Sequence, residues 1–150
     1  TFPQAVVHAT DISTDAVQVA ESNARDAGLE IEVSVGDLFD PLPRHLEGKV
    51  DLIVANPPYL AERELADLPV DVRDHEPVAA LVAGAGGDEV LARIAEEAGR
   101  WLRPGGVVVC EIGEFHGPAI AGHFASLGGE VFPDLNGRDR FIVGRVPAAE

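Results

Sequence analysis

The chain has 150 residues, a formal net charge of −15 and a mean hydropathy of +0.09. That length supports one domain with a sizeable core. No run is long and apolar enough for a membrane-spanning helix, and the charge argues against a broad basic face for nucleic acid. A protein partner is more compatible with it. No charged-then-apolar leader precedes a cleavage site, so a cytoplasmic location is the expectation. The single cysteine, Cys110, leaves no internal disulfide and no cysteine-rich metal site. It lies in the apolar run Val107 to Ile112 and reads as core.

In chain order, residues 5–9 read as a strand ending at Thr10-Asp11. Ser13 or Thr14 can cap a helix whose apolar positions are Ala16, Val17, Ala20, Ala24 and Ala27, with Gly28 closing it. Residues 31–35 read as a second strand, followed by a proline-containing loop over 38–48. Val50 to Ala55 is almost wholly apolar, as expected of a strand buried on both faces of a parallel sheet. Residues 60–68 suggest a short helix, and 69–87 read as irregular, a length that inside a compact domain signals function. Asp88 is the expected cap of a strong amphipathic helix carrying Leu91, Ile94, Ala95, Ala98, Trp101 and Leu102 on one face. Pro104-Gly105-Gly106 reads as a turn into a strand over 107–112. Residues 118–127 read as a helix stopped by Gly128-Gly129, and 130–133 and 140–146 as the last two strands. This alternation predicts an α/β fold: a mainly parallel twisted sheet, helices on both faces and a C-terminal antiparallel hairpin.

The most informative stretch is Asn56-Pro57-Pro58-Tyr59, directly after the third strand. Consecutive prolines end a central strand and push the preceding residue to extended geometry. Asn56 is thereby expected to project from the carboxyl end of the strand, where ligands bind in open α/β sheets. Its side-chain oxygen and the Pro57 carbonyl are two acceptors beside the only tyrosine ring in the chain. Such a corner suits a flat NH2 group, either an amide or an exocyclic base amine. The alternative is a proline-stiffened turn with a capping asparagine.

Asp11 and Asp37 end the first two strands. An acid at the position of Asp11 typically binds ribose hydroxyls in doubly wound folds, with helix capping the competing role. The Asp37 carboxylate suits an adenine amine, with Leu38 or Phe39 against the ring, and a turn aspartate is the competing role. Glu111 interrupts an apolar strand and needs a partner, so a structural ion pair is expected. The loop Asp134 to Asp139 reads as structural, and the charged tract around Glu76 as a solvated cluster unless it meets a substrate. Gly84-Ala85-Gly86-Gly87 lacks a phosphate-loop lysine, no Gly-x-Ser-x-Gly elbow is present, and the five histidines show no metal-ligand spacing.

Together, Thr10-Asp11-Ile12-Ser13, Gly36-Asp37-Leu38-Phe39, Asn56-Pro57-Pro58-Tyr59, Glu76-Pro77, Glu111-Ile112-Gly113 and Gly137-Arg138-Asp139-Arg140 resemble, in order, the release-factor glutamine methyltransferase family. The resemblance implies a Rossmann-like class I fold and S-adenosylmethionine as cofactor, with no metal. Asp11 and Ile12 would lie at the cofactor's ribose, Asp37 and Leu38 at its adenine, and Asn56 beside the cofactor as well. Asn56, Pro57, Pro58 and Tyr59 would hold the substrate amide, with Glu76 contributing to substrate binding. Asn56, Pro57 and Tyr59 would carry the catalysis. The implied partner is a peptide chain release factor with a glutamine in an exposed loop.

Two departures qualify the likeness. His116 stands where the family commonly has glutamine. The chain also begins just before what would be the second strand, so the family's first strand, its Gly-x-Gly-x-Gly loop and its helical recognition domain are expected to lie outside residues 1–150. Residues 1–150 therefore read as one N-terminally truncated catalytic domain, expected by itself to turn over little and to bind the cofactor more weakly than micromolar in calorimetry. An amino-methyltransferase acting on adenine or guanine in RNA or DNA is the enzymatic alternative. An inactive cofactor-binding or interaction fragment is the other.

Overall fold

The computed structural model describes residues 4–114 and 116–149. It divides into two compact units, Thr1–Leu46 and Glu47–Glu150.

In the first unit, β1 (Val7–Asp11) is followed by α1 (Thr14–Asp26) and β2 (Ile31–Val35). The strands pair in parallel from Val7↔Ile31 to Asp11↔Val35. Ser13 caps α1 as expected, its Oγ accepting the Ala16 N–H at 3.3 Å. Val17 and Ala24 are the buried positions of the helix. The strand begins two residues later than its sequence suggests and includes Asp11. The Gly36 N–H donates to the Asp11 carbonyl at 2.9 Å, extending the pairing past the last ladder residue.

The second unit begins with β3 (Val50–Ala55). Residues 60–68, read as a short helix, form β4 (Leu60–Ala61) and a 3-10 turn at Glu62–Asp67, and the segment read as irregular contains α2 (Val70–His75), α3 (Val78–Leu81) and β5 (Val82–Gly84). β4 and β5 form their own two-stranded parallel sheet. Then come α4 (Glu89–Trp101), β6 (Leu102–Glu111), α5 (Gly117–His123), a 3-10 turn at Ala125–Leu127, β7 (Glu130–Pro133) and β8 (Asp139–Arg145). The main sheet runs β3-β6-β8-β7, parallel between β3 and β6 and antiparallel thereafter. The Pro104-Gly105-Gly106 turn is taken up inside the span of β6. Val50 pairs with Leu102 but Leu52 with Val107, so the intervening residues bulge out.

One face of this sheet presents Val108, Cys110 and Ile142, all fully buried. α4 covers it with Leu91, Ile94, Ala98 and Trp101, and α5 and the turn after it with Ile120, Phe124 and Leu127. Each of the Val, Leu, Ile and Phe side chains among them contributes about 1.5–3 kcal/mol by leaving water. Gly144 lets the layers close, since a Cβ there would lie 3.0 Å from Leu127 Cβ and 3.1 Å from Val108 Cγ1. The opposite face is open: Leu52 is 56% exposed, Val54 72%, Phe132 43% and Phe141 36%. Among the described residues, β1 pairs only with β2 and β3 only with β6, so each keeps one unpaired edge.

Asp88 does not cap α4 through its side chain. Its carboxylate instead meets His123 Nε2 at 2.8 Å. Glu89, the first residue of the helix, reaches back into the preceding loop and accepts the N–H groups of Gly86 at 2.7 Å and Gly87 at 2.8 Å. The longer side chain can span both adjacent donors at once, which the aspartate cannot while it is engaged by His123. The helix expected over 118–127 is shorter, passing to a 3-10 turn after His123. No helix among the described residues is long and apolar enough to cross a membrane.

Candidate functional site

In the first unit the acidic pair is carried by adjacent parallel strands. Asp11 is the last residue of β1, exposed, with Oδ1 accepting the Ser13 N–H at 2.8 Å. That is a local turn contact two residues on, while the helix cap itself is Ser13, and it holds the carboxylate in one place. Ile12 beside it is 67% exposed. Asp37 follows β2 by two residues and is half-buried. The next residue, Leu38, has φ of 47°, a left-handed conformation uncommon outside glycine. Its carbonyl accepts the Thr10 hydroxyl at 2.7 Å. Backbone strain of this kind persists where surrounding contacts enforce it, and it clusters at binding sites. Thr10 is the residue that sequence reasoning did not single out; its position beside Asp11 at the strand end was the available signal. Two carboxylates at one end of a parallel pair are acceptors suited to hydroxyl or amine donors.

In the second unit, Asn56 directly follows β3 and is exposed, whereas Pro57 is buried and Pro58 and Tyr59 are half-buried. The proline thus anchors a corner whose amide faces outward. Tyr59 is braced from two other strands. Its hydroxyl donates to Glu111 Oε1 at 3.5 Å, and Arg140 Nη1 lies 3.7 Å from the same oxygen. Glu111 therefore has the ion-pair partner its strand position demanded. Burial first, and then the Glu111 carboxylate, push the Tyr59 hydroxyl above its ordinary pKa, keeping it a neutral donor. The tyrosine ring lies against Gly113, where a Cβ would be 3.3 Å from Tyr59 Cδ2 and 2.9 Å from His116 Nδ1. The Glu-Ile-Gly and Arg-Asp-Arg stretches thus meet at one side chain. His116 stands against the same glycine, and its buried Nδ1 has no hydrogen-bond partner among the described residues.

Glu76 is the exposed residue just after α2, and its N–H donates to the Val72 carbonyl at 2.9 Å. The loop at Asp134 is structural, as expected: Oδ1 accepts the N–H groups of Asn136 at 2.7 Å and Arg138 at 3.0 Å. No group of three or more His, Cys, Asp or Glu able to hold a metal occurs among the described residues.

The architecture is that of the class I methyltransferases. A methyltransferase from Pyrococcus furiosus superposes with a TM-score of 0.65 at 19% identity, covering 95% of this chain and 63% of that one. Residues 1–70 match the methyltransferase small domain family, a span that includes Asp11, Asp37 and the Asn56–Tyr59 corner. The resemblance seen in the motifs holds across nearly the whole sequence. The chain is 42% identical over 146 residues to a release factor glutamine methyltransferase of Cereibacter sphaeroides, covering 94% of this chain and 51% of the relative. It is 44% identical over 118 residues to a ribosomal protein uL3 glutamine methyltransferase of Burkholderia pseudomallei, covering 75% and 38% respectively. The chain thus resembles the protein-glutamine methyltransferases, and it spans about half the length of the curated relatives it matches.

Proposed function

We propose that this chain is the catalytic segment of an S-adenosylmethionine-dependent protein-glutamine methyltransferase, acting on a peptide chain release factor with a glutamine in an exposed loop. The observation that carries the reading is the Asn56 corner: an exposed amide at the carboxyl end of a parallel strand, with Pro57 buried beneath it and Tyr59 braced by Glu111. In this reading the Asn56 side-chain oxygen and the Pro57 carbonyl accept the two hydrogens of the substrate amide. The Tyr59 ring packs on its plane. Asp11 and Asp37 bind the cofactor's ribose and adenine, with Ile12 and Leu38 against the nucleoside, and Glu76 contributes to the substrate peptide. When bound, the cofactor supplies an electrophilic methyl group on a sulfonium. An amide nitrogen is a weak nucleophile, so the chain's contribution is positioning and preorganised acceptors.

The unpaired edges of β1 and β3 and the length of the relatives support a further part of the proposal. The complete catalytic domain includes another strand and a glycine-rich loop supplied from outside this chain. A translation-linked substrate would place the enzyme in the cytoplasm. The decisive variant is Asn56→Ala in the full-length protein. Methyl transfer to a release factor is expected to fall at least about a hundredfold, with S-adenosylmethionine affinity nearly unchanged. A large loss of affinity would assign Asn56 to the cofactor instead. Transfer by the unmodified enzyme to nucleic acid rather than to a release factor would overturn the glutamine assignment.

A further inference from the structure

β4 begins one residue after the Asn-Pro-Pro-Tyr corner, and its sheet partner β5 leads into the Gly84–Gly87 loop. The loop is pressed onto the corner at Gly87. A Cβ there would lie 2.9 Å from the Ala61 N and 3.0 Å from the Tyr59 carbonyl oxygen, both backbone atoms, and φ is +92°. A side chain is therefore excluded at Gly87 by space and by conformation. The loop is pinned in turn by one carboxylate: both Glu89 oxygens are used, Oε1 on the Gly86 N–H at 2.7 Å and Oε2 on the Gly87 N–H at 2.8 Å. Glu89 sits in the first turn of α4, the helix with the largest buried face of this unit, so the carboxylate is fixed to the core at its other end. A lesser tie runs from Arg63 Nη1 to the Ala85 carbonyl at 3.3 Å.

We propose that Glu89 is a positioning residue for methyl transfer: by clamping Gly86 and Gly87 to the start of α4, it holds the backbone of Tyr59 to Ala61, and hence the Asn56–Tyr59 corner, in register for the substrate amide. This rests on the glutamine-methyltransferase reading for its catalytic consequence, but not for its mechanical one. The carboxylate itself touches no substrate. Its effect reaches the corner through Gly87, a contact between backbones with no side chain to absorb a shift.

Three variants of the full-length protein, E89Q, E89A and the control E96Q on the exposed face of α4, separate the possibilities. E89Q keeps one strong acceptor and E89A none. Turnover number on a release-factor substrate is expected to fall about tenfold for E89Q and further for E89A, because small displacements of a reacting group are costly in rate. The KM for S-adenosylmethionine should stay within about twofold, and E96Q should match the parent. Amide hydrogen exchange at Leu60, Ala61 and Gly87 should quicken in the same order. Parent-like turnover and exchange in E89A would overturn the proposal. So would an equal loss in E96Q, which would reduce the effect to helix stability. If the parent methylates no glutamine substrate, the functional reading fails, and the exchange measurement alone then decides whether Glu89 clamps the corner.

Discussion

Tyr59 and Cys110 are both held in their neutral forms by burial, with different consequences. The tyrosine keeps a carboxylate partner and remains a hydrogen-bond donor at the candidate site. The thiol is fully buried between β6 and the helices, and burial pushes it up to about 12. Thiolate is the reactive form, so Cys110 is expected to resist a disulfide reagent at about pH 8 for as long as the chain is folded. It should react within minutes in denaturant. Rapid labelling under native conditions would mean that the β6 core opens. The same two residues show what was legible in the sequence. Cys110 read as core because its neighbours in the chain are apolar. The Asn56 corner was legible because proline acts on its immediate neighbours. The Glu111–Arg140 brace joins positions far apart in the chain, and no local pattern names such partners; only the cost of an unpaired carboxylate in a strand announced that one must exist.

Elements divide by whether they are long enough to show a period. α4 places Leu91, Ile94, Ala95, Ala98 and Trp101 on one buried face, and thirteen residues suffice for a 3.6-residue repeat to stand out. β4 is two residues long and β5 three, too short for any alternation, and they exist only because each supplies the other's ladder. The start of α4 departs from the expected cap for a related reason. Asp88 is the expected residue type, but a tertiary contact from His123 takes its carboxylate, and the helix has no side-chain cap. Among side chains of this helix, Ile94 is 1% exposed and lies in the layer over the sheet. Ile94→Ala should therefore lower unfolding free energy by about 2–5 kcal/mol, the transfer loss plus the cavity left behind, measured by urea denaturation with an unchanged slope. A loss under about 1 kcal/mol would mean that this layer collapses freely around the gap.

At the scale of the whole molecule, charge and local hydrogen bonding oppose each other as pH falls. With a formal net charge of −15, carboxylates repel one another at pH 7, and protonation toward the isoelectric point of about 4.5 relieves that repulsion. Three carboxylates act in the other direction, each held below its ordinary range: Asp88 chiefly by the hydrogen bond from His123, Glu89 by the Gly86 N–H, and Asp134 by the Arg138 N–H. Because their folded values are depressed, what they add is fully present above the unfolded value of roughly 4 and is lost as pH falls through the lower folded values. Relief of repulsion therefore acts first and loss of these bonds later, so thermal stability at low salt should rise from pH 7 to about pH 5 and then fall. Salt of about 0.5 M should flatten the limb above pH 5, because repulsion between spaced surface charges is screened. It should leave the acid limb in place, because hydrogen bonds at contact distance are screened far less. A melting temperature that falls steadily from pH 7 to pH 5 at low salt would contradict this ordering. It would mean that carboxylates other than these three dominate the balance.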